Sequence, residues 1–155
     1  MRPVVEDSVS TEDLVALRRL VDRYASGVDH RDVPAVAALF SPGGRLVAHF
    51  GPGTVEDPVV RSGRDDVAAA LEAGLARYRA TTHVVGGQVV EPDGDGARGE
   101  TTCLAHHLYD RDGQARLLVM AVRYADRYER RPGGWCFAER RLRLDWRQDR
   151  PLEER

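Results

Sequence analysis

Residues 97–146, ARGETTCLAHHLYDRDGQARLLVMAVRYADRYERRPGGWCFAERRLRLDW, contain three long strand-like runs separated by two turn signals. The runs cover 97–110, 115–130 and 135–146, and the turns are 111–113 (RDG) and 132–134 (PGG). Short glycine-containing turns of this kind join neighbouring antiparallel strands. This stretch therefore predicts an antiparallel meander, which decides the fold class of the chain.

The chain before the meander has helical patterns first and strand patterns later. Its first helix has one apolar stripe, formed at spacings of three and four by Leu14, Leu17, Val21, Tyr24 and Val28. Asp32 is the predicted N-cap of a short second helix, and the segment 41–44 (SPGG) ends this helix. The order continues with a strand at 45–50, a Gly/Pro-rich loop at 51–58, a helix at 64–79 and a strand-like run at 81–91.

The elements predict one α+β domain over 10–147, with flexible termini at 1–9 and 148–155. A chain of 155 residues and 17.2 kDa has room for a single hydrophobic core. Three helices across the open face of a long, curved antiparallel sheet would enclose a cavity.

Composition excludes several classes of function. The net charge of −2 indicates no general affinity for nucleic acid or for anionic membranes. All 23 basic residues are arginine, so Schiff-base lysine chemistry is excluded. The two cysteines lie far apart, no apolar run reaches the length of a membrane span, and the first residues do not resemble a signal peptide. We expect a cytoplasmic protein.

Two residues form a candidate acid–base pair. His83 shares an apolar strand face with Val85 and Val89 by alternation, so it is either a core residue with a satisfied partner or a base in a cavity. Asp29 ends the first helix at the edge of its apolar stripe, where a carboxylate is poorly matched to the helix dipole. An aspartate that accepts from one imidazole nitrogen leaves the other as the base.

Other residues leave alternatives open. His106 and His107 are adjacent in a strand, so they point to opposite faces, and the pattern does not say which faces the pocket. Asp29, His83 and His106 also have the composition of a two-histidine, one-carboxylate metal triad. The arginine-rich segment 140–147 alternates with apolar residues, which favours a solvated sheet face.

The order of elements resembles the SnoaL-like and scytalone-dehydratase-like branch of the nuclear-transport-factor-2-like superfamily. Four stretches carry the resemblance: YASGVDHRDVPAVAALF at 24–40, TTHVVGG at 81–87, CLAHHLYDRDG at 103–113 and RYADRYERRPGGWCFAERRLRLDW at 123–146. The resemblance implies a cone-shaped α+β barrel around a deep hydrophobic pocket. It also implies an acid–base site that works without a cofactor or a metal.

The resemblance also implies roles for individual residues. His83 removes a proton next to an activating group, and Asp29 orients its imidazole. His106, in a His-x-x-Tyr pattern completed by Tyr109, assists at the leaving oxygen, which directs His106 into the pocket and His107 away from it. Val28 occupies the position of a pocket tyrosine in scytalone dehydratase, and a second such tyrosine is absent near Ala48 and His49.

We therefore expect a lyase or isomerase, dehydratase-like, for a small hydrophobic ring compound with a carbonyl or hydroxyl group. Tyr24, Val28 and Tyr124 are expected to line the substrate pocket. The alternatives are a polyketide cyclase, a metal-dependent variant, a ligand-binding module, and an accessory subunit like that of ring-hydroxylating dioxygenases. The resemblance also implies that the open sheet face pairs with another copy, and the apolar residues at 140–146 suit such a contact as well as solvent, so we expect a homodimer or homotrimer.

Overall fold

The computed structural model describes residues 8–50 and 58–153. Within those ranges it contains α1 (Thr11–Asp29), α2 (Val33–Ala37), β1 (Phe40–His49), β2 (Val59–Ser62), α3 (Arg64–Leu75), β3 (Ala80–Asp93), β4 (Gly96–Arg111), β5 (Gln114–Arg131) and β6 (Gly134–Pro151). The six strands form one curved, unclosed sheet in the order β2-β1-β6-β5-β4-β3. The predicted α+β class is therefore confirmed.

The predicted meander is present as β4, β5 and β6, and β3 adds a fourth strand to it. Every neighbouring pair among these four strands is antiparallel. The sheet departs from antiparallel pairing at one place, where β1 runs parallel to β6 while it pairs antiparallel with β2. The chain between β1 and β6, which comprises β2, α3 and the strands β3 to β5, provides the long connection that this parallel pair needs.

Helix α1 begins at a Ser10 N-cap, whose hydroxyl accepts from the Asp13 N–H. The predicted stripe is buried from Leu17 onward, and each buried aliphatic side chain contributes roughly 1.5–3 kcal/mol. The α1 and α2 backbones approach closely at Gly27, where an added Cβ would lie 2.5 Å from a Val36 methyl group. This close packing fixes the end of α1, on which Asp29 lies.

An aromatic cluster fills the core between α1 and the inner face of the sheet. Its ring centroids lie 5.2–6.3 Å apart, and its members are Tyr24, Phe40, Tyr124, Tyr128 and Phe137. Tilted and edge-on ring pairs at such distances are favourable. Two members of this cluster, Tyr24 and Tyr124, also line the cavity described below.

Several predicted boundaries are wrong. β1 begins at Phe40, because a bulge between Phe40 and Arg45 takes up the Pro-Gly-Gly segment within the strand. The helix predicted at 64–79 ends at Leu75, and the short edge strand β2 was not predicted.

The predicted tail is also too long. β6 continues to Pro151, because 148–151 pair with the start of β5 and Asp149 forms an ion pair with Arg116 at 2.8 Å. The flexible lead-in predicted at 1–9 and the loop predicted at 51–58 lie mostly outside the described residues.

Candidate active site

Asp29 and His83 meet directly, across 54 residues of sequence. The His83 Nδ1 atom lies 2.7 Å from Asp29 Oδ1, and the His83 backbone N–H donates to Asp29 Oδ2 at 2.8 Å. Helix α1 supplies the carboxylate from its last residue, and β3 supplies the imidazole from its fourth. The side chain of His83 is only 7% exposed. The pairing that sequence spacing left open is thus present in the fold.

The Asp29 carboxylate is held in its ionised form by three donors. The Thr81 hydroxyl donates to Oδ1 at 2.9 Å, in addition to the two bonds from His83. Burial raises the pKa of the Asp29 carboxyl, but the bonds from His83 and Thr81 outweigh burial and leave this pKa below its ordinary value. An ionised carboxylate can only accept, so the proton between the two groups belongs to His83 Nδ1.

The imidazole of His83 is neutral at physiological pH. Burial lowers the pKa of His83, the Asp29 carboxylate raises it, and the positive charges of Arg140 and Arg31 lower it further; the net shift is downward. With the proton on Nδ1, the lone pair lies on Nε2. Nε2 has no hydrogen-bond partner among the described residues 8–50 and 58–153, so it is available as a base.

The imidazole faces an apolar cavity of about 300 Å³ between the sheet and α3. Four of the expected site residues line this cavity, namely Tyr24, Val28, His83 and Tyr124. The other lining side chains are mostly aliphatic or aromatic, including Leu46, Ala48, Leu71, Leu75, Tyr78, Met120, Val122 and Leu142. Among the described residues that line the cavity, only Arg61 and Arg77 have a permanently charged side chain. Apolar walls around a few polar groups are typical of small-molecule sites.

The second histidine of the cavity is His107, and the expectation that His106 faces inward is wrong. His83 is paired with Ala105 across β3 and β4, so Ala105 and His107 share the face of His83 while His106 lies on the other face. The rings of His83 and His107 are 6.0 Å apart. His106 instead approaches the Thr82 carbonyl on the outer side, and the Tyr109 hydroxyl donates to Asp149.

His107 is also neutral. Burial and the neighbouring His83 lower the pKa of His107 to about 4, against weaker opposing hydrogen bonds. Its Nδ1 lies 3.3 Å from the Leu118 carbonyl, which can only accept, so Nδ1 has the proton and Nε2 has a lone pair. A neutral imidazole of low pKa can accept a hydrogen bond, and it is a poor proton donor at neutral pH.

The metal triad of Asp29, His83 and His106 is not assembled, because His106 lies on the opposite face of the sheet from His83. No cluster of three or more His, Cys, Asp or Glu residues suits a metal ion in the described part of the chain.

Arg140 is a functional candidate that the sequence analysis missed. Its side chain is completely buried, and its guanidinium forms two hydrogen bonds of 2.9 and 3.0 Å with the equally buried Asp126. It also stacks on the rings of Tyr24 and Tyr124, at 4.3 and 3.8 Å from their centroids. The prediction of a solvated face at 140–147 is therefore wrong at Arg140.

Two signals in the sequence indicate this buried pair. Arg140 has the same strand parity as Leu142 and Leu144, and Asp126 has the parity of Tyr124 and Tyr128. The alternation thus places both charges on the apolar face, where a lone charge would be strongly unfavourable and an opposite partner is expected. Asp126 and Arg140 are direct register partners in β5 and β6.

The comparisons with known proteins agree with this architecture. The model of the SnoaL-like domain matches residues 9–141, so the chain belongs to the SnoaL-like family. The family includes lyases, isomerases and dehydratases. No curated protein sequence matches the chain significantly. None of the helices in the described residues is long and apolar enough to cross a membrane.

Solved structures share the nuclear-transport-factor-2-like fold. A protein of unknown function from Mycobacterium tuberculosis is 25% identical, with a TM-score of 0.71 over 94% of this chain and 77% of its own. A structure named "Putative Scytalone Dehydratase" from Novosphingobium aromaticivorans is 22% identical, with a TM-score of 0.72 over 92% of this chain and 90% of its own. LinA is 19% identical, with a TM-score of 0.74 over 91% and 90%.

Proposed function

We propose that the protein is a dehydratase-type lyase or isomerase that works by acid–base chemistry without a cofactor. Its substrate would be a small hydrophobic ring compound with a carbonyl or hydroxyl group. The observation that supports this proposal most directly is the contact of 2.7 Å between Asp29 and His83 at the wall of an apolar cavity. A dyad of this geometry has a free nitrogen facing the ligand space, as a general base requires.

The proposed reaction begins at a carbon next to an activating carbonyl group. His83 Nε2 takes the proton, and the electrons of the C–H bond form an enolate and then a carbon–carbon double bond. In dehydration the hydroxyl group on the neighbouring carbon leaves with its bonding electrons, and His83 returns the proton to it as water. In isomerisation His83 returns the proton to a different carbon. Asp29 stabilises the imidazolium that exists between these two steps.

Tyr24 and Tyr124 are suited to hold the oxygen that becomes negative. Both line the cavity, and neither hydroxyl has a hydrogen-bond partner among the described residues. Burial raises the pKa of both tyrosines above the ordinary value, so both hydroxyls keep their protons and can donate. The buried cation of Arg140 lies against both rings, where it favours negative charge at this end of the cavity.

His107 receives a different role from the one expected for His106. Because His107 is neutral and its lone pair is on Nε2, we assign it to accept a hydrogen bond from a substrate hydroxyl. The proton for the leaving oxygen then comes from His83, since it is the imidazole that becomes charged during the reaction. Val28 supplies apolar wall beside the dyad.

The proposal is tested with a panel of cyclic hydroxyketones, by following loss of water in ultraviolet absorbance and exchange of α-protons with deuterium oxide by NMR. Asp29→Asn and His83→Gln should each lower turnover by about 100-fold or more while the fold remains intact, because each removes the base or its orientation. His106→Gln is the matched control and should keep normal turnover, since His106 lies outside the cavity.

Equal activity of His83→Gln and the unchanged protein would contradict the proposal. Ligand-induced stabilisation of the protein without turnover or proton exchange would support the ligand-binding module instead. Stable association with a larger catalytic chain would support the accessory subunit.

A further inference from the structure

Arg31 has a backbone conformation that usually belongs to glycine. Its φ is 61°, two residues after the end of α1. The Arg31 N–H donates to the Val28 carbonyl at 3.1 Å, and the Asp32 N–H donates to the Gly27 carbonyl at 2.9 Å. These bonds define a Schellman motif, and glycine fits its left-handed position without strain. An arginine there indicates that its side chain contributes something that glycine lacks.

The side chain of Arg31 reaches from the end of α1 to the start of β3. One guanidinium nitrogen, Nη1, donates to the Val28 carbonyl at 3.0 Å and to the Thr81 hydroxyl at 2.8 Å. The other, Nη2, lies 3.3 Å from the Tyr78 carbonyl. The two carbonyl contacts stabilise the chain ends around the site. The contact with the Thr81 hydroxyl also affects the dyad, because this hydroxyl donates to the Asp29 carboxylate.

The bond from Arg31 sets the direction of the hydrogen bonds that follow it. A guanidinium can only donate, so the Thr81 oxygen accepts from Arg31 and its single proton is free to point elsewhere. That proton goes to Asp29 Oδ1, at 2.9 Å. The same carboxylate oxygen accepts from His83 Nδ1, and the other oxygen accepts from the His83 backbone. The bonds therefore run in one direction from Arg31 through Thr81 to the carboxylate.

We propose that Arg31 is a positioning residue for the dyad: through the Thr81 hydroxyl it holds the Asp29 carboxylate in the orientation that keeps the His83 proton on Nδ1 and its lone pair on Nε2. Arg31 itself does not line the cavity. The inference rests on the proposed function only for its effect on turnover. Its effect on the imidazole exists with or without a reaction.

Charged and titratable groups reach His83 from each element that packs around it. Asp29 belongs to α1, Arg31 to the turn after α1, His107 to β4 and Arg140 to β6. Only Asp29 favours the protonated imidazole, while the two arginines oppose it. Loss of the Arg31 charge should therefore raise the pKa of His83, and loss of the Thr81 link should loosen the bond between Asp29 and Nδ1 without removing a charge.

The experiment is a histidine titration by NMR, together with the exchange rate of the His83 Nδ1 proton with water. Arg31→Gly suits the left-handed turn and removes the side chain; it should accelerate exchange, and the loss of its positive charge should raise the pKa of His83. Arg31→Lys keeps the cation and should return the pKa toward that of the unchanged protein. Thr81→Val should accelerate exchange about tenfold with little change in that pKa, because it removes only the hydrogen bond.

Asp112→Gly is the matched control. Asp112 has a left-handed φ of 54° in the exposed β4–β5 turn, so this variant makes the same backbone change away from the dyad and should alter neither readout. If Arg31→Gly changes only the melting temperature, Arg31 is a helix cap and the inference is overturned. Unchanged proton exchange in Thr81→Val overturns it as well, even if Arg31→Gly does not fold. Because neither readout needs a substrate, absence of turnover would contradict the proposed function and leave this inference standing.

Discussion

At the scale of single residues, the buried pair of Arg140 and Asp126 links stability to the site. Burial disfavours the charge of Arg140, but the adjacent Asp126 carboxylate raises the pKa of the guanidinium above its ordinary value, so the pair is ionised. One nitrogen of the guanidinium, Nη1, has no hydrogen-bond partner among the described residues. Burial of such an ion pair costs desolvation free energy. This cost is consistent with the electrostatic role proposed for Arg140 beside Tyr24 and Tyr124.

Removing Arg140 alone should destabilise the protein strongly. In Arg140→Met the Asp126 carboxylate stays buried without its cation, which costs roughly 3–5 kcal/mol in comparable pairs. The double variant with Asp126→Leu should recover much of the lost stability, because no isolated charge remains. Urea denaturation monitored by circular dichroism measures both. An Arg140→Met protein within about 1 kcal/mol of the unchanged one would show that the pair is not the stabilising contact described here.

His107 should make stability depend on pH in a defined window. The pKa of His107 is about 4 in the folded protein and 6.5 in an unconstrained chain. Between these values the unfolded state binds a proton that the folded state does not, so stability falls as pH decreases from 6.5 to 4. The full difference between the two pKa values corresponds to roughly 3–4 kcal/mol.

His107→Gln should lose less stability across the same window, since glutamine does not titrate. Denaturation midpoints at several pH values compare the two proteins. Parallel curves would mean that His107 is not the buried neutral imidazole described here.

At the scale of elements, the two helical glycines of α1 and α3 should respond in opposite ways to the same substitution. Gly27→Ala places a methyl group 2.5 Å from Val36, so it should destabilise the protein by about 1–3 kcal/mol. Gly74→Ala has open space around it and should stabilise α3 by up to about 1 kcal/mol. Thermal unfolding of both variants provides the comparison, and a neutral Gly27→Ala would show that α1 and α2 are not in close contact.

The elements also show which structural features can be predicted from the sequence. The α1 stripe, the meander and the position of Asp29 followed from periodicity and turn chemistry, because these signals are local. The face of β4 that points inward could not be predicted from these local signals, since it depends on the register that pairs His83 with Ala105. The family resemblance directed His106 into the pocket, whereas the inner face has the small residues Cys103 and Ala105, which leave space for the cavity.

The bulges were equally hidden from the sequence. Leu144 opposes Val122 and Trp146 opposes the adjacent Ala121, so Asp145 is the extra residue of a bulge. This irregularity moves Trp146 to the outer face of the sheet although it shares its parity with inward Leu142. Strict strand alternation over 140–147 places Trp146 on the same face as Leu142, so it could not predict the change of face that the bulge causes.

At the scale of the whole molecule, an apolar row crosses the outer face of the sheet. Val84, Leu104, Ala121 and Trp146 are successive register partners in β3, β4, β5 and β6. The exposed fractions of Val84, Leu104 and Trp146 are 53%, 39% and 53%. Three exposed apolar side chains in one row suit contact with another protein surface. We propose that it is the contact surface of the expected homo-oligomer, with a second copy of the chain as its partner.

Trp146→Gln should therefore convert an oligomer into a monomer. Aromatic residues near the centre of an interface commonly contribute about 2 kcal/mol or more, which is sufficient to shift a moderate dimer affinity by more than tenfold. Size-exclusion chromatography with light scattering, across a dilution series, measures the change. Val15→Gln, which removes a similarly exposed apolar side chain from α1, is the control and should leave the assembly intact. If the unchanged protein is monomeric throughout the series, the outer row is exposed to solvent and the proposed contact is wrong.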